Sequence, residues 1–133
     1  MSFDIFLGCM KNGESATFPR ALVETAFAPF IESRSDRSWK LTDSLADVWI
    51  QAGPEIYGFT VSRPPGDEHP FWQALFDLMR QTQSVLYWPS DGPASVVTDE
   101  AVIAHMPAEM IEIVGPVIVV ETPLEIGECI RNS

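Results

Sequence analysis

Hydrophobic side chains recur at two different spacings along this chain, and the spacing changes from one short segment to the next. In residues 3–9 they alternate with other residues, which is typical of a strand packed on one face. In residues 19–31 and 70–79 they recur every three or four residues, which indicates two amphipathic helices that each begin near a proline. A chain with both periods buries its helices against a sheet, so the pattern predicts an α+β fold.

The other segments complete the predicted order of elements. Further strands are predicted over residues 39–41, 47–51, 57–63, 84–88, 95–97 and 117–120, and further helices over residues 107–114 and 124–130. The order β-α-β-β-β-α-β-β-α-β-α contains no βαβ repetition. We therefore expect a single-layer mixed or largely antiparallel sheet with helices packed on it, in one domain over residues 1–133. The three strands between the first two helices are expected to form an antiparallel meander.

Three segments carry more specific expectations. Residues 32–37 are polar and charged, as in a connecting loop. The uniformly apolar residues 117–120 are typical of a strand that is covered on both faces. Alternation in the third strand of the meander places Tyr57 on the buried face, together with Phe59 and Val61.

The predicted helix over residues 107–114 has a buried side and an exposed side. The buried side carries three apolar residues, Met106, Met110 and Ile113. Glu109 and Glu112 are expected to face solvent on the other side. Together with Asp91, which lies in a proline-bounded turn, these carboxylates are candidate contacts for a partner.

Acidic side chains outnumber basic ones by nineteen to eight, which gives a net charge of −11. Residues 81–133 hold eight acidic residues and only Arg131 as a base, so this part carries −7 of the total. Such a chain repels phosphate backbones and anionic lipid, which disfavours binding to nucleic acid or a membrane. It favours a basic protein partner instead, because opposite charges speed association. A solvated surface that only maintains solubility is the alternative.

The sequence predicts a cytoplasmic protein. The first residues lack the basic and apolar regions of a secretory signal, and no apolar run approaches the ~18 residues that span a bilayer. Cys9 and Cys129 form no CxxC pair or Cys/His cluster, so neither a disulfide framework nor a zinc site is expected. Both cysteines lie on apolar faces, where a packing role is favoured over a nucleophilic one.

Common catalytic and cofactor signatures such as GxGxxG, the Walker loop, GxSxG and HExxH do not occur, so no cofactor is predicted. Asp67, Glu68 and His69 form one local cluster of titratable residues before the second helix. They are weak catalytic candidates, because two carboxylates could share a cation with the imidazole or support its protonated form. The alternative is a role at the helix N-terminus. His105 stands alone and is expected on the surface or at a cap.

Three aromatic residues are candidate interface anchors: Trp49, Tyr87 and Trp88. Alternation leaves Trp49 on the polar face of its strand, because Val48 and Ile50 take the other face. The alternative is that a helix or loop of the same chain, and not a partner, covers the Trp49 side chain. Tyr87 and Trp88 are neighbours on one strand and point to opposite faces, so one of them is expected to border a groove.

The chain resembles small acidic bacterial proteins of uncharacterised function in residues 1–7, 59–65 and 86–89, which read MSFDIFL, FTVSRPP and LYWP. These motifs consist of strand and turn residues, so the resemblance implies no particular chemistry. In size and charge the chain is also similar to immunity proteins that neutralise bacterial toxins.

Three functional hypotheses follow from the sequence. The first is a cytoplasmic protein-binding module, of the immunity or antitoxin type, with a basic partner. The second is a small enzyme or ligand-binding protein that uses Asp67, Glu68 and His69. The third is a homodimer in which exposed aromatic side chains bury each other.

Overall fold

The computed structural model describes residues 4–90 and 92–133. Its strands are β1 (Asp4–Lys11), β2 (Glu14–Ser15), β3 (Phe18–Pro19), β4 (Ile31–Arg34), β5 (Ser38–Leu41), β6 (Asp47–Ile50), β7 (Glu55–Ile56), β8 (Gly58–Ser62), β9 (Ser84–Tyr87), β10 (Ser95–Val97) and β11 (Ile118–Val119). Its α-helices are α1 (Arg20–Phe27), α2 (Phe71–Gln81), α3 (Ala108–Val114) and α4 (Pro123–Arg131). Helices pack on a mostly antiparallel sheet, so the predicted α+β class is confirmed.

The first strand lies in the middle of the sheet. The order across the sheet is β11-β10-β9-β1-β8-β6-β5-β4, with β2 paired to the end of β1. The pairs along this order are antiparallel except for β10 and β11, which are parallel. Because β5, β6 and β8 are consecutive neighbours, the predicted meander is confirmed. β3 and β7 form a separate small sheet.

One face of the sheet, called the inner face, carries the main hydrophobic core. The strands contribute alternating residues such as Ile5 and Leu7, which are almost fully buried. Helix α2 contributes six buried side chains: Phe71, Trp72, Leu75, Phe76, Leu78 and Met79. Each side chain of this size stabilises the fold by about 1.5–3 kcal/mol when it leaves water. The wide apolar stripe predicted for this helix is therefore its contact with the sheet, α1 and α4.

On the other face, called the outer face, the described residues cover one end of the sheet. A 3₁₀ turn at Glu100–His105 leads into α3, and this segment packs on β9, β10 and the end of β1. The resulting small cluster contains five buried side chains: Met10, Val85, Val97, Val102 and Met106. Met110 packs against this cluster as predicted, whereas Ile113 is 82% exposed, so its predicted burial is wrong. Ile111 packs against the cluster instead, because Met106 lies before α3 and its position does not follow the period of that helix.

Residues 32–37 are not simply a loop. Residues 31–34 form the edge strand β4, which pairs with β5. The predicted first helix ends earlier than its periodicity indicates, since α1 stops at Phe27 and a 3₁₀ turn with Pro29 follows. Proline removes a helical N–H donor at this point. An edge strand has one unpaired side and therefore tolerates polar residues. Because these residues are mostly polar, the sequence pattern predicted a loop here.

The apolar segment 117–120 is also placed differently from its prediction. Only two of its residues form a strand, β11, which lies at the opposite edge of the sheet. Val119 is partly exposed there, while Val120 is buried in the core. The strand is therefore not covered on both faces. Within the described residues, no helix has the length and apolar character needed to cross a membrane.

Candidate functional site

The uncovered part of the outer face carries a row of aromatic side chains that crosses the central strands. Thr60 on β8 lies directly opposite Trp49 on β6 and Phe6 on β1. Phe6 in turn lies opposite Tyr87 on β9. Neighbouring strands are about 4.8 Å apart, so this row extends about 14 Å across four strands. The sequence pattern alone identified two members of the row, Trp49 and Tyr87.

A shallow groove runs beside this row. Gly8 and Gly58 lie opposite each other on β1 and β8, and as glycines they line the floor of the groove with backbone atoms. The groove has a volume of about 280 Å³. Its walls include aromatic, apolar and neutral polar residues, among them Phe6, Met10, Ser15, Trp49, Gln51, Tyr57, Thr60 and Tyr87. No charged side chain lines it within the part of the chain that the structure describes.

Trp49 is the most prominent aromatic residue of the groove. It is 49% exposed, whereas Val48 and Ile50 on either side are buried, so the predicted alternation is confirmed. Its indole Nε1–H donates to the Ser62 hydroxyl at 3.0 Å, which fixes the edge of the ring. The indole is thus held in one orientation while about half of its surface stays in water. Within the described residues, no helix or loop covers the Trp49 side chain, so the alternative of a covering segment gains no support from them.

Tyr57 forms the other exposed part of the groove, and its prediction is wrong. Alternation places it on the buried face with Phe59 and Val61, but it is 54% exposed. The strand β8 begins only at Gly58, and the Tyr57 carbonyl accepts from the Cys9 backbone N–H at 3.1 Å. This irregular pairing removes Tyr57 from the strand's alternation. Sequence reasoning therefore missed it as a surface residue.

Tyr87 closes the opposite end of the groove. Its ring stacks on Phe6 with ring centroids 5.4 Å apart, and it packs partly against the small cluster under α3. Burial raises the pKa of the Tyr87 phenol above its ordinary value. The adjacent candidate, Trp88, is only 4% exposed and donates its Nε1–H to the Ser133 hydroxyl at 3.0 Å. Trp88 is therefore a core residue and does not border a surface.

The acidic residues near the C-terminus have no ionic partners within the described residues. The described residues form four ion pairs, and the carboxylates of these pairs come from Glu24, Asp47 and Asp67. The seven acidic residues between positions 99 and 128 take part in none of them. Glu109 and Glu112 are exposed on α3 as predicted, while the third acidic candidate, Asp91, lies outside the described residues.

The acidic residues of the 3₁₀ turn and α3, within residues 99–112 and called the acidic segment, lie next to this aromatic groove. The 3₁₀ turn and α3 pack on Met10 and Tyr87, which also line the groove. His105, at the end of this turn, accepts through Nδ1 from the Asn12 backbone N–H at 3.1 Å. Its carbonyl also accepts from Gly13, so the histidine holds the turn between β1 and β2. This agrees with the expected capping role of His105.

Asp67, Glu68 and His69 lie in the loop before α2, and their side chains have separate surroundings. Asp67 forms an ion pair with Arg131 of α4, and Glu68 is exposed. The pair lies over Gly127, where a Cβ would stand 2.7 Å from an Asp67 carboxylate oxygen. Asp67 therefore joins the loop to the last helix. No group of three His, Cys, Asp or Glu side chains suited to a metal ion occurs in the described part of the chain.

His69 uses both ring nitrogens within the fold. Its Nδ1 accepts from the Phe71 backbone N–H at 3.0 Å, which caps the first turn of α2. This places the ring hydrogen on Nε2, which donates to the Thr42 carbonyl at 2.7 Å. The imidazole therefore connects α2 to the turn between β5 and β6. A catalytic role for the cluster stays a prediction, and it would require His69 to leave these two bonds.

Both cysteines are unpaired thiols. Burial raises the pKa of Cys9, outweighing the opposite effect of backbone hydrogen bonds from Gln83 and Met10. Burial also raises the pKa of Cys129, and the negative charges of Glu125 and Glu128 raise it further. A raised pKa lowers the thiolate fraction at neutral pH, which makes both side chains poor nucleophiles.

Comparison with protein-family models, with curated proteins and with solved structures finds no match to this chain. The resemblance to small acidic bacterial proteins consequently transfers no residue role. Function must be inferred from the groove, the acidic segment and the loop before α2.

Proposed function

We propose that this chain is a cytoplasmic protein-binding module, of the immunity or antitoxin type, whose partner is a basic protein. The partner contacts the aromatic groove on the outer face of the sheet. The acidic segment beside the groove, from Asp99 to Glu112, guides the partner to it.

The observation that carries this proposal is the exposure of Trp49 and Tyr57 in a groove that the chain's own helices leave open. Tryptophan and tyrosine are enriched among the residues that dominate binding energy at protein interfaces. Because Trp49 is fixed by its bond to Ser62, little side-chain freedom is lost when a partner covers it. The groove therefore provides an ordered contact surface.

The charge distribution favours a basic partner over a neutral or acidic one. The net charge of −11 attracts cations over a distance of about one Debye length, roughly 8–10 Å at physiological salt. Carboxylates without ionic partners, such as Glu109 and Glu112, remain available to a partner's lysines and arginines. Complementary charge of this kind raises association rates and selects against acidic proteins.

The rival proposal is an enzyme or ligand-binding protein built on Asp67, Glu68 and His69. It has weaker support, because Asp67 and His69 are engaged in contacts that join α2 to α4 and to the β5–β6 turn. A homodimer that buries Trp49 and Tyr57 is a second rival, and measurement of the molar mass by light scattering distinguishes it from a monomer that binds a different protein.

Affinity purification of the full chain from its native cells tests the proposal. We expect a reproducible basic partner at low salt and a clear loss of that partner at high salt, because screening weakens charge attraction. The variant Glu109→Gln/Glu112→Gln should capture less of the partner than wild type at low salt. Capture that is indifferent to salt, or no reproducible partner, would count against the proposal.

A further inference from the structure

We infer that the aromatic groove receives a cationic side chain, an arginine or a lysine, from the basic partner. This inference rests on the proposed function and specifies how the partner is recognised. The cation lies against the exposed rings of Trp49 and Tyr57, over the floor formed by Gly8 and Gly58.

The exposed aromatic rings of the groove, and the absence of basic residues among its described walls, favour a bound cation. Aromatic faces attract cations through the ring quadrupole, most strongly for tryptophan. None of the described residues that line the groove is basic, and Arg37 lies in a second hollow that Trp49 also lines. Elsewhere in the chain such contacts are made internally, since Arg20 and Arg34 lie over Trp39, with 5.4 and 5.0 Å from the guanidinium carbon to the ring centroid.

Size and hydrogen-bonding groups point to a single side chain. Pockets for small molecules and cofactors typically have about 300–1,000 Å³. The groove, at about 280 Å³, lies at the lower end of this range and has room for one inserted side chain. The oxygens of Ser15, Gln51 and Thr60 along its walls can accept hydrogen bonds from a guanidinium or ammonium group.

Charge complementarity supports a cationic occupant over a neutral one. The 3₁₀ turn and α3 adjoin the groove at Tyr87 and Met10, and the acidic residues of this segment have no ionic partners within the described residues. A cationic segment is attracted to this end of the groove, and the open rings provide the short-range contact. Arginine is expected to bind better than lysine, because its planar guanidinium stacks on aromatic faces and is more weakly hydrated.

Titration of the full chain with hexa-arginine tests the inference, with hexa-citrulline as a neutral peptide of nearly the same shape. Trp49 is the partly exposed tryptophan, since Trp39, Trp72 and Trp88 are each at most 6% exposed. A change in the exposed tryptophan's fluorescence therefore reports on the groove. Calorimetry gives the dissociation constants in parallel at low salt.

The variants separate the groove from the acidic segment. We expect hexa-arginine to bind wild type, with Trp49→Leu binding about fivefold more weakly or worse and Trp49→Phe recovering part of the loss. The control Leu45→Ala, at an exposed position in the β5–β6 turn, should bind like wild type. Circular dichroism and the melting temperature verify that each variant is folded.

Several results would overturn the inference. Equal binding of hexa-citrulline and hexa-arginine excludes a cationic occupant, and so does an absence of hexa-arginine binding at millimolar concentration. If Trp49→Leu binds normally while Glu109→Gln/Glu112→Gln binds weakly, the cation binds the acidic segment instead, and the proposed function stands without this inference. If hexa-arginine binds the groove but purification yields no basic partner, the proposed function fails while the groove's preference for cations stands.

Discussion

Gly58 lies directly opposite Gly8 on the adjacent strands β8 and β1, and its backbone approaches β1 so closely that a Cβ on it would collide with the Leu7 carbonyl oxygen. No rotamer can relieve this collision, because the obstructing atoms belong to the backbone. The close approach forms the floor of the groove. Gly58 is therefore needed for the close packing of β1 against β8 and also lines the candidate binding surface.

Replacing Gly58 by alanine should destabilise the protein by more than about 3 kcal/mol, because β1 and β8 must separate to accept the methyl group. Urea unfolding followed by circular dichroism measures the loss. Gly66→Ala is the matched control, since a Cβ there meets no atom within 4 Å, and its effect should stay within about 1 kcal/mol. Equal stabilities of the two variants would show that β1 and β8 do not pack in this way.

Replacing His69 by alanine should lower the free energy of unfolding by about 1–3 kcal/mol, because the Phe71 N–H loses its cap and the Thr42 carbonyl loses its donor. Glu68→Ala, at the exposed neighbouring position, should change it by about 0.5 kcal/mol or less. Chemical denaturation compares the two. A metal or metabolite that raises the melting temperature of wild type but not of His69→Ala would contradict this purely structural role and support the rival ligand site.

Local spacing was sufficient to predict the helices and the α+β class. Helix α2 was predictable because its core residues, from Phe71 to Met79, all lie on one helix and follow its period. The strand β4 was not, because an edge strand needs no apolar alternation and residues 31–34 are mostly polar. Hydrophobic periodicity shows which side of a helix or strand is buried. It therefore cannot reveal an element such as β4 that has no buried side.

The candidate site was predictable only in part, because it depends on pairing between distant segments. Trp49 could be identified from its position between Val48 and Ile50. The alternation also turns Phe6 away from Ile5 and Leu7, but its stacking on Tyr87 depends on the pairing of β1 with the distant β9. Tyr57 was missed because it precedes β8 and does not follow that strand's alternation. Of the neighbours Tyr87 and Trp88, strand position could not tell which one borders the groove, and Trp88 is the buried one, with a hydrogen bond to the distant Ser133.

Cys129 should react slowly with a disulfide reagent such as DTNB, because burial and the charges of Glu125 and Glu128 raise its pKa and reduce the thiolate at pH 8. Glu128→Gln removes one of these charges, which lowers the pKa and should raise the labelling rate about two- to threefold. Glu121→Gln is the control, because Glu121 is not among the charges that act on this thiol. Identical labelling rates for both variants would show that Glu128 has no influence on Cys129.

Partner capture by wild type and groove variants tests the central claim most directly. The full chain, Trp49→Leu/Tyr57→Ala and the control Thr25→Ala/Gln73→Ala, whose changes lie in a separate hollow between α1 and α2, serve as three baits at low salt. Quantitative mass spectrometry compares the proteins that they retain. We predict that wild type and the control capture the same basic protein and that the groove variant loses at least about 90% of it, a loss of about 1.4 kcal/mol or more in binding free energy. Equal capture by all three baits would contradict the assignment of the aromatic groove as the binding surface.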